Sequence, residues 1–436
     1  MANVILGIMQ LISIIGISIY EFRKKSLSVF LWATLLIMFG FPHTISIITQ
    51  TANYSDDVMI KASIFVILFN ILYIFSKSAL YRFFNKNKAL EWSYENKNIY
   101  NQRLFILNTS RKKRLERLYF TLLLISFLIL TYYSFKYLGG LSKGSWGAYR
   151  NLNKELGLTS LSRYGKYLLF GSSGVSLIFL RNKNNKMALI SMIIIIAYVL
   201  VTGNRIIILP VLTAIILKYI FFSDKKLSIK TLISLGIMGF LTIFIVYFLR
   251  LLRIYGGFYN MINSVSLIDL SKQTLEMILN GDGELGLRNA FYHFIYHNNN
   301  FENFNKGHTY IRLLLIAFPT SILKGIKPPD FAISMGSAWS MNPYNTSYSM
   351  HPTLYGDCFA NLWWFGIFLG IFWAVFLFII DKFTFKRNDV VKTMLMVLFT
   401  TVYVIVGRGS VYNGFFIAFL GLIIILSVNL ISKIKL

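Results

Sequence analysis

The stretch MALISMIIIIAYVLVTGNRIIILPVLTAIILKYIFF, residues 187–222, decides the topology of this chain. As a single helix it would be about 54 Å long, against a hydrocarbon core of about 30 Å. Its flanks, RNKNNK at 181–186 and SDKKLSIK at 223–230, are both basic. Basic flanks favour the cytoplasmic side, so both ends belong on the same face. The stretch therefore reads as a hairpin turned at TGNR, Thr202–Arg205, the one polar break suited to turning it. The arms are short, which sinks Arg205 to or below the outer membrane surface. An arginine at the bilayer centre costs about 2.5 kcal/mol or more, unless it lines a wet cavity or meets an anion. The plainer reading is that Arg205 snorkels, or bonds carbonyls at the turn.

Outward from the hairpin, the whole chain follows the same pattern. It is 56% hydrophobic and 14% charged, with a mean hydropathy of +0.60. Apolar runs of spanning length recur throughout, which defines an all-α polytopic membrane protein rather than a barrel of short alternating strands. Val4–Tyr20 lacks a basic leader and a small-residue cleavage site, so it reads as a retained helix. Basic turns at EFRKK, 82–117, 181–186, 223–230, DKFTFKRND and KIKL then fix about eleven spans, the amino terminus outside and the carboxyl terminus inside. Three regions result. Residues 1–249 form a transmembrane bundle with a cytoplasmic loop at 82–117 and the hairpin at 187–222. Residues 250–363 form a large extracytoplasmic loop, and 364–436 the last transmembrane helices. Within the loop, Tyr310–Leu323 is too short to span and is broken by Pro319, so it reads as a re-entrant or interfacial helix.

The formal charge of +27 is mostly cytoplasmic under this topology, so it signals orientation and contact with anionic membrane lipid. Nucleic acid is not implied. A single cysteine, Cys358, excludes an intramolecular disulfide. No internal repeat is visible, which weighs against a transporter built from inverted halves.

The loop is the candidate working face, because ordinary connections run to only about 4–6 residues. It holds four of the five histidines and five of the seven prolines. Cationic groups gather in outer segments or at outer span ends: Arg205, Arg250, Arg253, Arg288, Arg312, Lys324, Lys327 and Arg408. Several guanidiniums on one outer cavity suit a diphosphate, since a planar fork binds phosphoryl oxygens at two points. Taken singly, each is better read as a solvated interface charge. His308 and His351 titrate near neutrality and are candidate general bases, and Asp357, six residues past His351, is a third. Each of these three also fits a sugar-binding or loop-fixing role. His293 and His297 have the spacing of a helical zinc pair but no third ligand at motif spacing, and their aromatic neighbours suggest an interfacial belt. No metal or cofactor is expected.

With TGNR, KGHTYIRLLLIAFPTSILKGIKP at 306–328 and HPTLYGDCFANLWWFG at 351–366 in view, the chain resembles the bacterial oligosaccharide repeat-unit polymerases, the Wzy-type O-antigen and capsule polymerases. The resemblance covers roughly 197–370. It departs from the pattern in having no arginine soon after Pro319, a contact that Lys324 or Lys327 would supply. It implies a metal-independent GT-C-like glycosyltransferase in the bacterial inner membrane, working on the periplasmic or extracellular face. There an undecaprenyl-diphosphate-linked oligosaccharide serves as donor and acceptor, with a chain-length regulator and a flippase as possible partners. Arg205, Arg250, Arg253, Arg288, Lys327 and Arg408 would bind the diphosphate. His351, Asp357 and His308 would do the proton chemistry, and Trp339, Tyr344, Tyr348 and Tyr355 would stack on sugars. An O-antigen ligase shares this architecture, and a flippase for the same lipid-linked sugar is the rival from another class.

Overall fold

A computed structural model describes residues 2–51, 53–85, 109–140, 168–175, 186–202, 205–221, 247–251, 254–256, 258–279, 285–318, 322–387 and 390–432, with 237, 239, 241, 244, 245 and 320. Among these residues every regular element is a helix. Among the described residues six helices are long and apolar enough to cross a membrane: Ala2–Arg23, Val29–Ile48, Asp56–Phe84, Lys113–Leu138, Thr353–Phe385 and Val411–Ile431. Three shorter apolar helices accompany them at Lys186–Leu200, Ile206–Leu217 and Val391–Gly407. The chain is a helical membrane protein.

Packing divides it into two compact units. The first joins Met1–Arg103 to Gly281–Asn388 and Val402–Leu420, so most of the long loop folds with the first helices of the chain. The second comprises Leu104–Asn280, Asp389–Thr401 and Gly421–Leu436.

In the first unit, α1 (Ala2–Arg23), α4 (Asp56–Asn85) and α14 (Leu369–Phe385) form the central layer. With 30 residues, α4 runs about 45 Å, more than the depth of a bilayer. Its buried apolar residues Met59, Ala62, Val66, Phe69 and Tyr73 recur every three or four positions, the spacing that keeps one face turned to its neighbours. Gly370 lets α14 close on it, for a Cβ there would stand 2.5 Å from the Phe69 carbonyl oxygen. Between α1 and α4 the chain runs through α2 (Val29–Leu35), a π-helical turn at Leu36–Gly40, and α3 (Phe41–Ile48). Pro42 explains the irregularity, since it has no N–H to donate to the preceding turn.

Three polar residues interrupt the apolar face of α4 at intervals of seven: Ser63, Asn70 and Lys77. All are buried, and each bonds a different neighbour. Ser63 meets His43 of α3 at 2.8 Å. Asn70 donates to Ser13 of α1 at 2.7 Å and accepts from Tyr355 at 2.9 Å. Lys77 lies between Glu21 of α1 and Asp381 of α14. In a lipid-facing bundle such bonds fix which helix faces which, where apolar contact alone discriminates little.

The second unit contains α5 (Thr109–Tyr133), α6 (Lys186–Thr202), a 3₁₀ turn at Arg205–Ile208, α7 (Leu209–Phe221), α8 (Phe258–Ser264) and α9 (Leu267–Leu279), with the beginning of α15 (Val390–Gly407) and the end of α16 (Val411–Ile431). The long apolar run does break where expected. Helix α6 ends at Thr202, and a 3₁₀ turn begins at Arg205. Gly203 and Asn204 lie outside the described residues, as do much of 82–117, the 139–167 segment beyond Gly140, and Arg253.

Of the loop, the first unit holds α10 (Arg288–Tyr296), α11 (His308–Leu314), α12 (Phe331–Trp339) and α13 (Thr353–Leu362). The expected helix over Tyr310–Leu323 is met only at its start. Helix α11 stops at Leu314, and turns follow through the later described residues. There the Ile316 N–H donates to the Leu313 carbonyl and the Phe318 N–H to the Leu315 carbonyl, both at 3.2 Å, so tighter three-residue turns replace the α-helical ladder. Leu314, Phe318, Ile322 and Ile326 remain exposed there.

Candidate functional site

Two short motifs, far apart in sequence, lock together at the carboxyl side of the loop. Thr353 opens α13 with φ +64°, a costly conformation for a β-branched residue. Its N–H donates to the Arg408 carbonyl at 3.1 Å. The next residue, Gly409, has φ +96°, and a Cβ on it would approach Thr353 N to 2.6 Å and Thr353 O to 2.7 Å. The HPT and GRGS turns are thus pressed backbone to backbone, and only glycine fits at 409.

Beside this junction lies a small cleft, with room for about one water molecule. Its wall includes His351, Asp357, Asp330, Thr309, Ser410, Tyr412 and Asn413. Asp357, in the second turn of α13, is only 1% exposed. Asn361, one turn on, donates to its carboxylate at 3.2 Å and its carbonyl at 2.9 Å. The same amide donates to the Thr309 hydroxyl at 3.0 Å and accepts from the Thr309 N–H at 3.0 Å. One side chain therefore ties the start of α11 to α13 and fixes the inner wall. Asp330 is the N-cap of α12 and accepts from the Ala332 N–H at 3.2 Å. Its charge acts on Asp357, so the cleft carries two neighbouring carboxyl groups.

Cations stand at the Tyr412 side. The Arg312 guanidinium lies 4.5 Å from the Tyr412 ring centre and donates to the Pro328 carbonyl. Lys327 Nζ is 6.0 Å from the same ring and donates to the Phe318 carbonyl at 2.7 Å. The position at which each ammonium or guanidinium sits is thus set by backbone oxygens and an aromatic face.

The anticipated site residues separate into groups. His351 and Asp357 line one cleft, with Arg408 at its junction and Lys327 beside Tyr412. His308 is the first residue of α11, next to cleft residue Thr309, and burial pushes its imidazole below the ordinary value. Its Nδ1 has no hydrogen-bond partner among the described residues. Arg288 begins α10, which packs on α13. Arg205 and Arg250 belong to the second unit; Arg205 opens its 3₁₀ turn, and Arg250 Nη1 is buried without a hydrogen-bond partner among the described residues.

The aromatic residues need one correction. Tyr355 is not on a surface and offers no face to a sugar. Its ring is fully buried between Phe39 and Phe69, each 5.4 Å away, and its hydroxyl binds Asn70. It is a bolt between α13 and α4. Tyr344 and Tyr348 are exposed, as stacking platforms must be. Trp339 is half-buried and meets His293 edge-on at 5.2 Å. His293 and His297 face each other at 4.6 Å inside a cluster with Phe294, Phe301 and Phe304. His293 Nε2 donates to the Ala338 carbonyl at 3.0 Å, and burial holds its imidazole below the ordinary value. Among the described residues no group of three or more His, Cys, Asp or Glu side chains gathers.

Asp330, Thr309, Ser410, Asn413 and Asn361 were not anticipated. Asp330 is legible in KPPDF as an N-cap before an apolar run, but nothing in the spacing pairs it with Asp357. A helical membrane protein with a polar, two-carboxylate cleft flanked by cations is the class that these features define. Comparisons with protein families, curated proteins and solved structures gave no match.

Proposed function

We propose that this protein is a bacterial plasma-membrane glycosyltransferase that polymerises undecaprenyl-diphosphate-linked oligosaccharide repeat units into a surface polysaccharide. In this reading about eleven spans carry a GT-C-like architecture, and the cleft opens on the outer face. The observation that carries it is the interlock of the HPT and GRGS turns around one cleft holding His351 and Asp357.

The chemistry runs as follows. An acceptor sugar hydroxyl attacks the anomeric carbon of the donor. The bond from that carbon to the diphosphate oxygen breaks, and undecaprenyl diphosphate leaves with the electron pair. The hydroxyl proton passes to one of the two groups on the cleft wall, His351 or Asp357, a step worth roughly 10²–10⁴-fold. Cations stabilise charge growing on the departing diphosphate, where such contacts are typically worth about 2.7–4 kcal/mol each. Lys327 and Arg312 stand beside Tyr412 of the cleft wall, Arg408 lies at its junction, and Arg288 belongs to the same unit; Arg205, Arg250 and Arg253 are diphosphate-binding residues on the sequence argument alone. Exposed Tyr344 and Tyr348, with Trp339, are the sugar platforms of this reading.

The test is reconstitution. Purified protein given a synthetic undecaprenyl-diphosphate repeat unit should yield a ladder of lengthening products on a gel. No ladder overturns the reading, and transfer only onto a lipid A core acceptor identifies a ligase instead. A reporter fused near Ser337 should read as extracytoplasmic and one near Asn388 as cytoplasmic. Equal sidedness for the two would remove the outer-face assignment.

A further inference from the structure

His43 is the one histidine outside the loop, and it is completely buried in α3. Both of its ring nitrogens are bonded. Nδ1 lies 2.6 Å from the Tyr292 hydroxyl of α10, and Nε2 lies 2.8 Å from the Ser63 hydroxyl of α4. The ring is stacked on Phe39, with centres 4.8 Å apart and planes 17° apart, so it cannot swing to another partner.

The direction of each bond follows from the donors at the two ends. Ser63 donates its one proton to the Met59 carbonyl at 3.0 Å, so its oxygen accepts from His43 Nε2–H. That leaves Nδ1 bare as an acceptor, and the Tyr292 hydroxyl must donate to it. The other end agrees. Arg288 stands four residues before Tyr292 in α10, one helical turn away, and bonds its hydroxyl oxygen. A guanidinium has donors only, so it uses a lone pair of that oxygen, and the O–H must point elsewhere. Ser46, also beside the Tyr292 oxygen, donates its own proton to the His43 carbonyl at 2.9 Å. The Ser63 end therefore selects one arrangement, and the Arg288 end agrees with it: Arg288 to Tyr292, Tyr292 to His43, His43 to Ser63, Ser63 to the Met59 carbonyl.

We propose that His43 and Tyr292 are positioning residues for Arg288. This one-way run of hydrogen bonds anchors the half-buried Arg288 side chain of the loop to the backbone of α4, where it meets an anionic phosphoryl group. The anion rests on the diphosphate reading above; the anchoring does not. The physical benefit is preorganisation. An arginine loses much rotamer freedom when it binds, and a side chain already held has less to lose. Tyr54 meets the Tyr292 ring edge-on with centres 5.7 Å apart, which helps to hold that ring in place.

The experiment uses full-length protein in detergent and arginine modification by p-hydroxyphenylglyoxal, read at Arg288 by peptide mass spectrometry. Tyr292→Phe keeps the ring and removes the hydroxyl, and His43→Leu removes both ring contacts. Each should raise the modification rate of Arg288 several-fold while Arg312, bonded to Pro328, stays unchanged. His43→Gln should stay close to the wild-type rate, because an amide can donate to Ser63 and accept from Tyr292 at once. If His43→Leu does not accumulate, Tyr292→Phe decides alone. An unchanged Arg288 rate in Tyr292→Phe overturns the anchoring. A second arm adds inorganic pyrophosphate. Protection of Arg288 in the wild type, weakened in Tyr292→Phe, supports the anionic ligand. Absent protection overturns that ligand while the reactivity arm still decides the anchoring.

Discussion

Lys77 and Asp381, 304 residues apart in the chain, meet side chain to side chain at 3.4 Å in the interior of the first unit. The contact is not a simple pair. Glu21 stands 3.9 Å from the same ammonium and accepts from the Tyr73 hydroxyl at 2.6 Å. Asp381 also accepts from the Ser26 hydroxyl and from the Leu27 N–H. One lysine thus ties α1, α4 and α14 and the turn after α1, in a place that water does not reach.

Removing that lysine leaves two buried carboxyl groups without their cation. Breaking one partner of a buried pair typically costs about 3–5 kcal/mol. Lys77→Met should therefore sharply lower the amount of folded protein and its melting temperature in detergent. Joint replacement, Glu21→Gln with Lys77→Met and Asp381→Asn, should recover most of the loss. Recovery is read by fluorescence-detected size exclusion. A single variant as stable as wild type would show that the cluster holds little of the fold together.

Gly409 offers a second, more local test. Alanine there would be strained at φ +96° and would push its Cβ into Thr353. The cost is of order 1–3 kcal/mol. Gly409→Ala should part the two turns, lower the melting temperature, and reduce polymer formation more than its stability loss explains. Activity equal to wild type would separate the turn contact from the cleft.

The pH dependence of stability follows from His293. Burial holds its folded value below the ordinary 6.5, so as pH falls the unfolded chain takes up the proton first. Stability rises with pH wherever the unfolded state binds more protons. The contribution of His293 is thus complete above about 6.5 and declines as pH falls below it, down to its folded value. Melting temperature measured from pH 7.5 to 5 should fall less steeply in His293→Gln than in wild type. An unchanged slope would show that His293 does not contribute to it.

The helical membrane character, and the six long apolar helices that show it, were legible because twenty apolar residues announce themselves at any position. The TGNR break was legible for the same reason in reverse, as polar residues inside such a run. What sequence conceals is the partner. Ser63, Asn70 and Lys77 stand seven apart in plain view, but His43, Tyr355 and Asp381 become their partners only when three helices pack. Tyr355 was misplaced on a sugar face for this reason, since an aromatic residue in a polar loop looks exposed until α4 covers it. The helix expected over Tyr310–Leu323 ends at Leu314, where the chain passes into tighter turns that hydropathy does not announce. His351 and Asp357, singled out by their chemistry, line one cleft, and Asp330 was missed because its capping role gave no hint of its neighbour.

Arg205 carries the expectation that rests most on topology. If it grips a diphosphate, Arg205→Ala should abolish polymer formation while protein levels hold. Arg205→Lys should rescue little, because an ammonium lacks the planar two-point fork. If it only staples the turn, melting temperature should fall first. Well-folded Arg205→Ala protein that makes polymer near the wild-type rate would reject the diphosphate role.

The two carboxyl groups of the cleft can be told apart by what each does for the fold. Asp330 caps α12, and asparagine caps a helix about as well as aspartate. Asp330→Asn should therefore keep the melting temperature while removing a negative charge from the cleft. Asp330→Ala loses the cap as well, at about 1 kcal/mol, and should melt lower. Asp357 has no cap to provide, and Asn361 already fixes its position. Asp357→Asn in a folded protein should then report on proton transfer alone, with a loss of up to roughly 10²–10⁴-fold in turnover if it is the base. If His351 is the base instead, His351→Ala should show the larger loss and Asp357→Asn a smaller one. The loss in Asp330→Asn should be smaller than in either, since that residue acts on Asp357 through its charge. The measurement is ladder formation from a synthetic repeat unit, with melting temperature alongside for every variant. Full activity in folded Asp357→Asn and in folded His351→Ala alike would remove this cleft from the reaction.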